Sequence, residues 1–125
     1  MLAILFHDYG KLMEYTREGE TTEDMYLLGH IYISAHTLQN VLESVLAQTP
    51  GDAKSLSAES REEVKRIVHC VLAHHGEKEF GSPVVPCMQE AVIVNYLDNL
   101  SAKAENIKDT GNMEQSFCLG THVIK

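Results

Sequence analysis

From Leu27 to Leu46 apolar side chains return at every third or fourth position: Leu27, Leu28, Ile31, Ala35, Leu38, Val41, Leu42, Val45 and Leu46. That spacing lays one apolar stripe along a helix. Thr22 is placed to cap its start, and the pattern runs to about Gln48. A second stripe of Val64, Ile67, Val68, Val71 and Leu72 predicts another helix, capped by Ser57 or Ser60 and finished by Gly76. The intervening TPGDAKSLSAES reads as a connector, and GEKEFGSPVVP, residues 76–86, as a loop. After Pro86, AVIVNYLDNLSAKAE predicts a helix apolar on most sides through Leu97, and therefore central.

The N-terminal pattern is less determinate. Leu2 to Phe6 is apolar all round, so residues 2–12 suit the end of a buried helix with Gly10 as a stop or sharp turn. Five apolar residues equally admit a buried strand. Glu14 to Glu23, with Gly19 and several Thr and Glu, reads as a loop, and the chain after Lys108 as irregular. No internal repeat is present. Four helices with short connections make an all-α helical bundle.

Against these stripes a few polar residues stand out. His7 and Asp8 follow the apolar run directly. His30 sits at the edge of the first stripe; His75 falls in the middle of the second face and His74 at its edge. Asp98 shares a face with Ala91, Val94 and Ala102. Burying such groups is costly unless something compensates them. Singly, each has an ordinary explanation: a hydrogen-bonded core imidazole, histidines complementing a helix dipole, or an Asp98 paired with Lys103 or Lys11. Jointly, a divalent metal ion accounts for all of them, since imidazole and carboxylate are its usual nitrogen and oxygen ligands. With no cysteine in the set, the mixture favours Mn²⁺, Fe²⁺, Zn²⁺ or Mg²⁺. Open positions on such an ion activate water and polarise a phosphoryl oxygen. His36, His69, which the helical period turns to solvent, and His122 lie outside this set.

Composition narrows the setting. The 125 residues suffice for one domain with a single core, and 44% hydrophobic content argues against disorder. No apolar run approaches the roughly 20 residues of a membrane-spanning helix, and the N-terminus lacks the basic flank of a signal peptide. Cys70, Cys87 and Cys118 are odd in number and show no CxxC spacing, which reads as reduced thiols in a cytoplasmic protein. A net charge of −8 disfavours broad contact with a nucleic-acid backbone, and no DNA-binding module is visible. It leaves room for a small phosphorylated substrate held by a cation.

HDYGKL, LLGHI, LAHHGEKEFGSPVVP and YLDNLSAKAE resemble the HD-domain metal-dependent phosphohydrolases, and among them the YhaM-type 3′→5′ exoribonucleases, also called CMP-binding-factor proteins. The resemblance runs from residue 1 to about 107, with FCLG near the end a candidate continuation. It implies an HD-type domain over residues 1–107 and an irregular tail over 108–125. It implies His7, Asp8 and Asp98 as ligands of a principal metal, Mn²⁺ foremost, with Fe²⁺, Zn²⁺, Ni²⁺ or Mg²⁺ as alternatives. His30, His74 and His75 would be further metal or phosphate contacts, and a second ion would bridge through Asp8. Asp8, Lys11 and His74 would carry the catalytic roles, Lys11 as a point charge on the substrate phosphate and a histidine free of metal on the leaving-group proton. The reaction implied is hydrolysis of phosphodiester or phosphomonoester bonds in nucleotides or RNA ends.

Two departures from the family pattern shape the expectations. A metal-binding histidine stands on a helix well upstream of the HD pair in the family, whereas six residues precede His7 here. The N-terminal OB-fold that would grip single-stranded RNA is not in the sequence either. The chain is therefore expected to be a C-terminal piece lacking the first helices of its bundle. Its exposed Leu2–Phe6 edge would favour a homo-oligomer, and its substrates would be nucleotides or short RNA. The alternative expectation is a metal-stabilised nucleotide-binding or interaction module without turnover; a plain helical scaffold with hydrogen-bonded histidines is the third.

Overall fold

The computed structural model describes residues 1–48 and 57–109, and the strand pairs 115–116 and 121–122. Among the described residues six α-helices follow one another: α1 (Leu2–Phe6), α2 (Lys11–Glu14), α3 (Glu23–Leu27), α4 (Gly29–Gln48), α5 (Ala58–Leu72) and α6 (Gln89–Asp109). A 3₁₀ turn at Lys78–Phe80 lies between α5 and α6. Two short antiparallel strands, β1 (Gln115–Ser116) and β2 (Thr121–His122), pair Gln115 with His122 and Ser116 with Thr121. They fall within the segment expected to be irregular. The other described elements are helical, so the fold is all-α, and no helix among the described residues is long and apolar enough to cross a membrane.

The helix at the centre is α5, not α6. Its residues meet α1, α4 and α6, and Val64, Cys70, Val71 and Ala73 are all buried there. Ser57 begins it as foreseen, its Oγ accepting the Ser60 N–H at 3.1 Å. Ala35 and Leu38 from α4, Ala3 from α1, and Ala91 and Val94 from α6 complete the core. In α6 the apolar residues wrap most of the circumference, yet α5 covers one side only, so Ile93, Tyr96, Leu97 and Leu100 are exposed. The same holds for α1, where Ala3 is buried while Leu2, Ile4 and Leu5 face outward.

The single long helix expected from Thr22 to Gln48 is broken. Gly29 adopts φ +73°, a left-handed conformation open to glycine, and separates α3 from α4. Leu27 and Leu28 fall before the break and are exposed; past it, Ile31, Ser34, Ala35 and Leu38 form a narrower buried stripe. Thr22 does precede α3, but its hydroxyl donates to the Met13 carbonyl at 2.6 Å instead of capping. The expected loop after Glu14 is pinned by a bridge between Tyr15 and Thr21.

Gly10 sets how closely the N-terminal turn meets α4. Its N–H donates to the buried Ser34 Oγ at 2.7 Å, and a Cβ at this position would collide with the Cα and carbonyl oxygen of His30. Gly10→Ala is therefore expected to destabilise the chain by about 1–3 kcal/mol through overpacking. Urea denaturation checks this; an unchanged midpoint would mean that the two backbones are not held together.

Candidate functional site

Four short pieces of backbone meet at one end of the helices. The turn after α1 carries His7 and Asp8, α4 opens with His30, the turn closing α5 carries His74 and His75, and the middle of α6 carries Asp98. In each imidazole the Nδ1 atom is occupied. His7 Nδ1 lies 2.7 Å from the Ile4 carbonyl, His74 Nδ1 2.6 Å from the Val71 carbonyl, and His75 Nδ1 2.8 Å from the Phe80 carbonyl. Carbonyl oxygens only accept, so these three rings carry their proton on Nδ1 and leave Nε2 as a lone pair. His30 Nδ1 meets the Glu14 carboxylate at 3.2 Å, which gives the same tautomer.

The Nε2 atoms converge. His7 Nε2 lies 3.3 Å from Asp98 Oδ1 and 3.5 Å from Asp8 Oδ2. His30 Nε2 is 3.4 Å from His75 Nε2 and 3.6 Å from Asp8 Oδ1, and His74 Nε2 is 3.7 Å from the same oxygen. Asp8 Oδ1 and His74 Nε2 are buried and have no hydrogen-bond partner. Lone pairs that face one another in a buried site repel unless a cation or a proton lies between them. The donor atoms of His30, His74 and His75 lie within 4.8 Å of one another, as do those of His7, Asp8 and Asp98. Each set has the spacing and the chemistry to hold one divalent ion, and Asp8 touches both.

The surroundings bias the charges. Burial alone would raise the Asp8 carboxyl, yet the group is held well below the usual carboxylate range, with the Lys11 ammonium 2.7 Å from Oδ2 favouring its charged form. Burial pushes the His30 imidazole below its ordinary value of 6.5, against the pull of Glu14 and Asp8. Both groups thus favour the deprotonated form that can act as a ligand.

All six residues singled out as metal ligands in the sequence come together here, and Lys11 stands beside Asp8. The helical period misjudged one pair. His74, expected at the edge of the face, is completely buried, while His75, expected at its centre, is half-buried. The reason is that α5 ends at Leu72, so both rings project from a turn. His69 does not point freely to solvent; its Nε2 accepts the Cys87 N–H at 3.2 Å. His36 stays outside the site, stacked on Tyr32, and the side chain of His122 lies outside the described residues. Two supporting residues escaped the sequence reading. Glu14 had been assigned to a loop but is buried behind His30. Asn95, one turn before Asp98, donates from Nδ2 to the His74 carbonyl at 2.7 Å and fixes the α5 turn against α6. Its only signal was a polar side chain on the face that also carries Asp98.

A cavity of about 260 Å³ opens beside His7, Asp8 and Asp98, walled by Ile4, Val94, Leu97 and Ser101. A larger groove of about 640 Å³ between α4 and α5 contains none of the six residues.

The chain is 36% identical to the 3′-5′ exoribonuclease YhaM of Bacillus velezensis and 38% identical to that of Bacillus subtilis, each match covering 93% of this chain. Over nearly its whole length, the chain is similar to YhaM-type exoribonucleases. It spans about a third of the length of these curated YhaM relatives, 36% in each. No family model matches the chain, and no solved structure does. The YhaM similarity read from the HDYGKL, LLGHI and LAHHGEKEFGSPVVP stretches therefore stands on whole-sequence identity.

Because the folded His30 titrates below its unfolded value of 6.5, the unfolded chain binds its proton first as the pH falls. The stability that neutral His30 contributes is full above pH 6.5 and is lost as the pH drops towards the folded value. In chelator, the urea midpoint of the wild-type chain is expected to fall below pH 6.5 more steeply than that of His30→Asn. Parallel profiles would contradict the assignment.

Proposed function

We propose that the chain is a metal-dependent phosphohydrolase domain of the HD type, acting on phosphodiester or phosphomonoester bonds of nucleotides or RNA ends. The observation that carries this reading is the convergence of the His7, His30 and His74 Nε2 atoms on Asp8 and Asp98, with His75 Nε2 beside that of His30 and every Nδ1 tied off behind them. Hydrogen-bonding the outer nitrogen of a ligating histidine to a carbonyl or carboxylate is the arrangement that fixes imidazole for a metal. The names of the relatives, 3′-5′ exoribonuclease YhaM, favour RNA as the source of the substrate, which for this chain would be a nucleotide or a short RNA end.

In this reading His7, Asp8 and Asp98 hold a principal divalent ion, Mn²⁺ foremost. His30, His74 and His75 hold a second ion or a phosphate, with Asp8 shared. When bound, such an ion supplies Lewis acidity, activating water and drawing charge from a phosphoryl oxygen. The chain's own residues do the rest. Lys11, half-exposed and paired to Asp8, offers an ammonium to a phosphate oxygen. Ile4, Val94 and Leu97 give the adjoining cavity an apolar wall for a sugar or base. The buried His74 takes part only through Nε2, since its Nδ1 proton is committed to Val71. The free thiols of Cys70 and Cys87 suit a cytoplasmic setting.

The test is hydrolysis of bis(p-nitrophenyl) phosphate and of a short labelled RNA, with and without Mn²⁺. Turnover is expected only with the metal. Asp8→Asn or Asp98→Asn should lower it on the order of 100-fold, and Lys11→Ala should raise KM. Metal binding without turnover would replace hydrolysis by the alternative of a nucleotide-binding module. Turnover indifferent to metal or to both aspartates would overturn the reading.

Association of copies through the exposed Leu2–Phe6 edge belongs to the same proposal. A monomer by light scattering at micromolar concentration would contradict it.

A further inference from the structure

Three of the four site histidines lean on backbone carbonyls of their own element or of an adjacent turn: Ile4, Val71 and Phe80. His30 is the exception. Its Nδ1 meets a side chain, Glu14, the last residue of α2. Glu14 is buried, at 5% exposure. A carboxylate is costly to bury unless hydrogen bonds compensate it. Both bonds found for this one end on the same residue: Glu14 Oε1 accepts the His30 backbone N–H at 2.6 Å and meets the ring Nδ1 at 3.2 Å. The left-handed Gly29 just before His30 brings that N–H round to the carboxylate. The four-residue α2 begins at Lys11, whose Nζ is bonded to Asp8. One rigid turn therefore carries Asp8's partner at one end and His30's at the other.

We infer that Glu14 is a positioning residue: it holds the His30 ring in the Nδ1–H tautomer with Nε2 turned to Asp8 and His75, and its charge raises the donor strength of that nitrogen. The inference deepens the metal-centre reading and rests on it. A carboxylate behind a ligating imidazole makes it a better ligand than a carbonyl does, and removing such a partner typically weakens metal affinity 10–100-fold. Glu14 acts on the His30–His74–His75 triad and leaves His7, Asp8 and Asp98, which it does not touch, in place.

A purely structural role predicts something different. If Glu14 only ties the first turn of α4, then Glu14→Gln, which keeps an oxygen for both donors, should leave metal binding unchanged. The experiment compares wild type, Glu14→Gln and Glu14→Ala. Long-range ¹H–¹⁵N spectra of the histidine rings are recorded without metal, and Zn²⁺ titrations follow by calorimetry. Wild type and Glu14→Gln are expected to show His30 as Nδ1–H, and Glu14→Ala a mixture with Nε2–H. Zn²⁺ affinity at the weaker of two sites, or at a single shared site, should fall about tenfold in Glu14→Gln. An Nε2–H tautomer in wild type, or Zn²⁺ affinity in Glu14→Gln within twofold of wild type, would overturn the inference. If Glu14→Ala fails to fold, Glu14→Gln decides alone. A wild-type chain that takes up no Zn²⁺ would sink the metal-centre reading, and the tautomer of His30 would still decide whether Glu14 orients the ring.

Discussion

Everything at the open end of this bundle depends on the imidazole rings being tied from behind. An Nδ1–H bonded to a carbonyl or a carboxylate cannot also be an Nε2–H in the neutral ring. His7, His30, His74 and His75 are all constrained in this way, so each turns a lone pair inward. His30 and His75 bring two of these within 3.4 Å of each other. Asp8 Oδ1 and His74 Nε2 are buried with no hydrogen-bond partner. A protein interior does not keep such a set for the sake of stability, since unpaired buried polar groups cost free energy. In the reading proposed above, a bound cation supplies the charge that such a set calls for.

The fold supplies this by ending its elements together. The carbonyls of the last helical turn are free of intrahelical partners, and the structure uses them: Ile4 near the end of α1 and Val71 near the end of α5 accept the His7 and His74 protons. The core around α5 fixes where those ends lie. Ala3, Leu38, Val71, Ala91 and Val94 pack as one cluster, and the small residues let α1, α4 and α6 approach α5 closely. Gly10 and Asn95 then tie two of the turns to α4 and α6. Outside this contact zone α1 and α6 keep apolar residues exposed.

Much of this was legible in the sequence because the site residues violate the apolar pattern. His7, Asp8, His30, His74, His75 and Asp98 were each conspicuous for sitting where a stripe or an apolar run wanted carbon. Asp98 was placed correctly because α6 holds a regular period past it, and Ala91, Val94 and Asp98 do share a face. The errors arose where the period stops. His74 and His75 exchanged burial because α5 ends before them, and periodicity says nothing about a turn. The stripe from Leu27 to Leu46 looked continuous because Gly29 fits a helical pattern as well as it fits a break. The centrality of α6 was misread because apolar residues on all sides signal burial only when something packs on all sides. Glu14 could not be found by pattern, since its role depends on a partner sixteen positions away.

The similarity to YhaM and the geometry both support the proposed chemistry. Identity of 36–38% reports shared ancestry over nearly all of this chain; the inward lone pairs report what the folded side chains can bind. The most direct test of the central claim is anomalous diffraction from crystals soaked in Mn²⁺ and measured at the manganese edge. The account predicts a strong peak among His7, Asp8 and Asp98, and a second among His30, His74 and His75 where that site also takes metal. No peak at either triad, with the rings unmoved and their Nε2 atoms still facing one another, would contradict it.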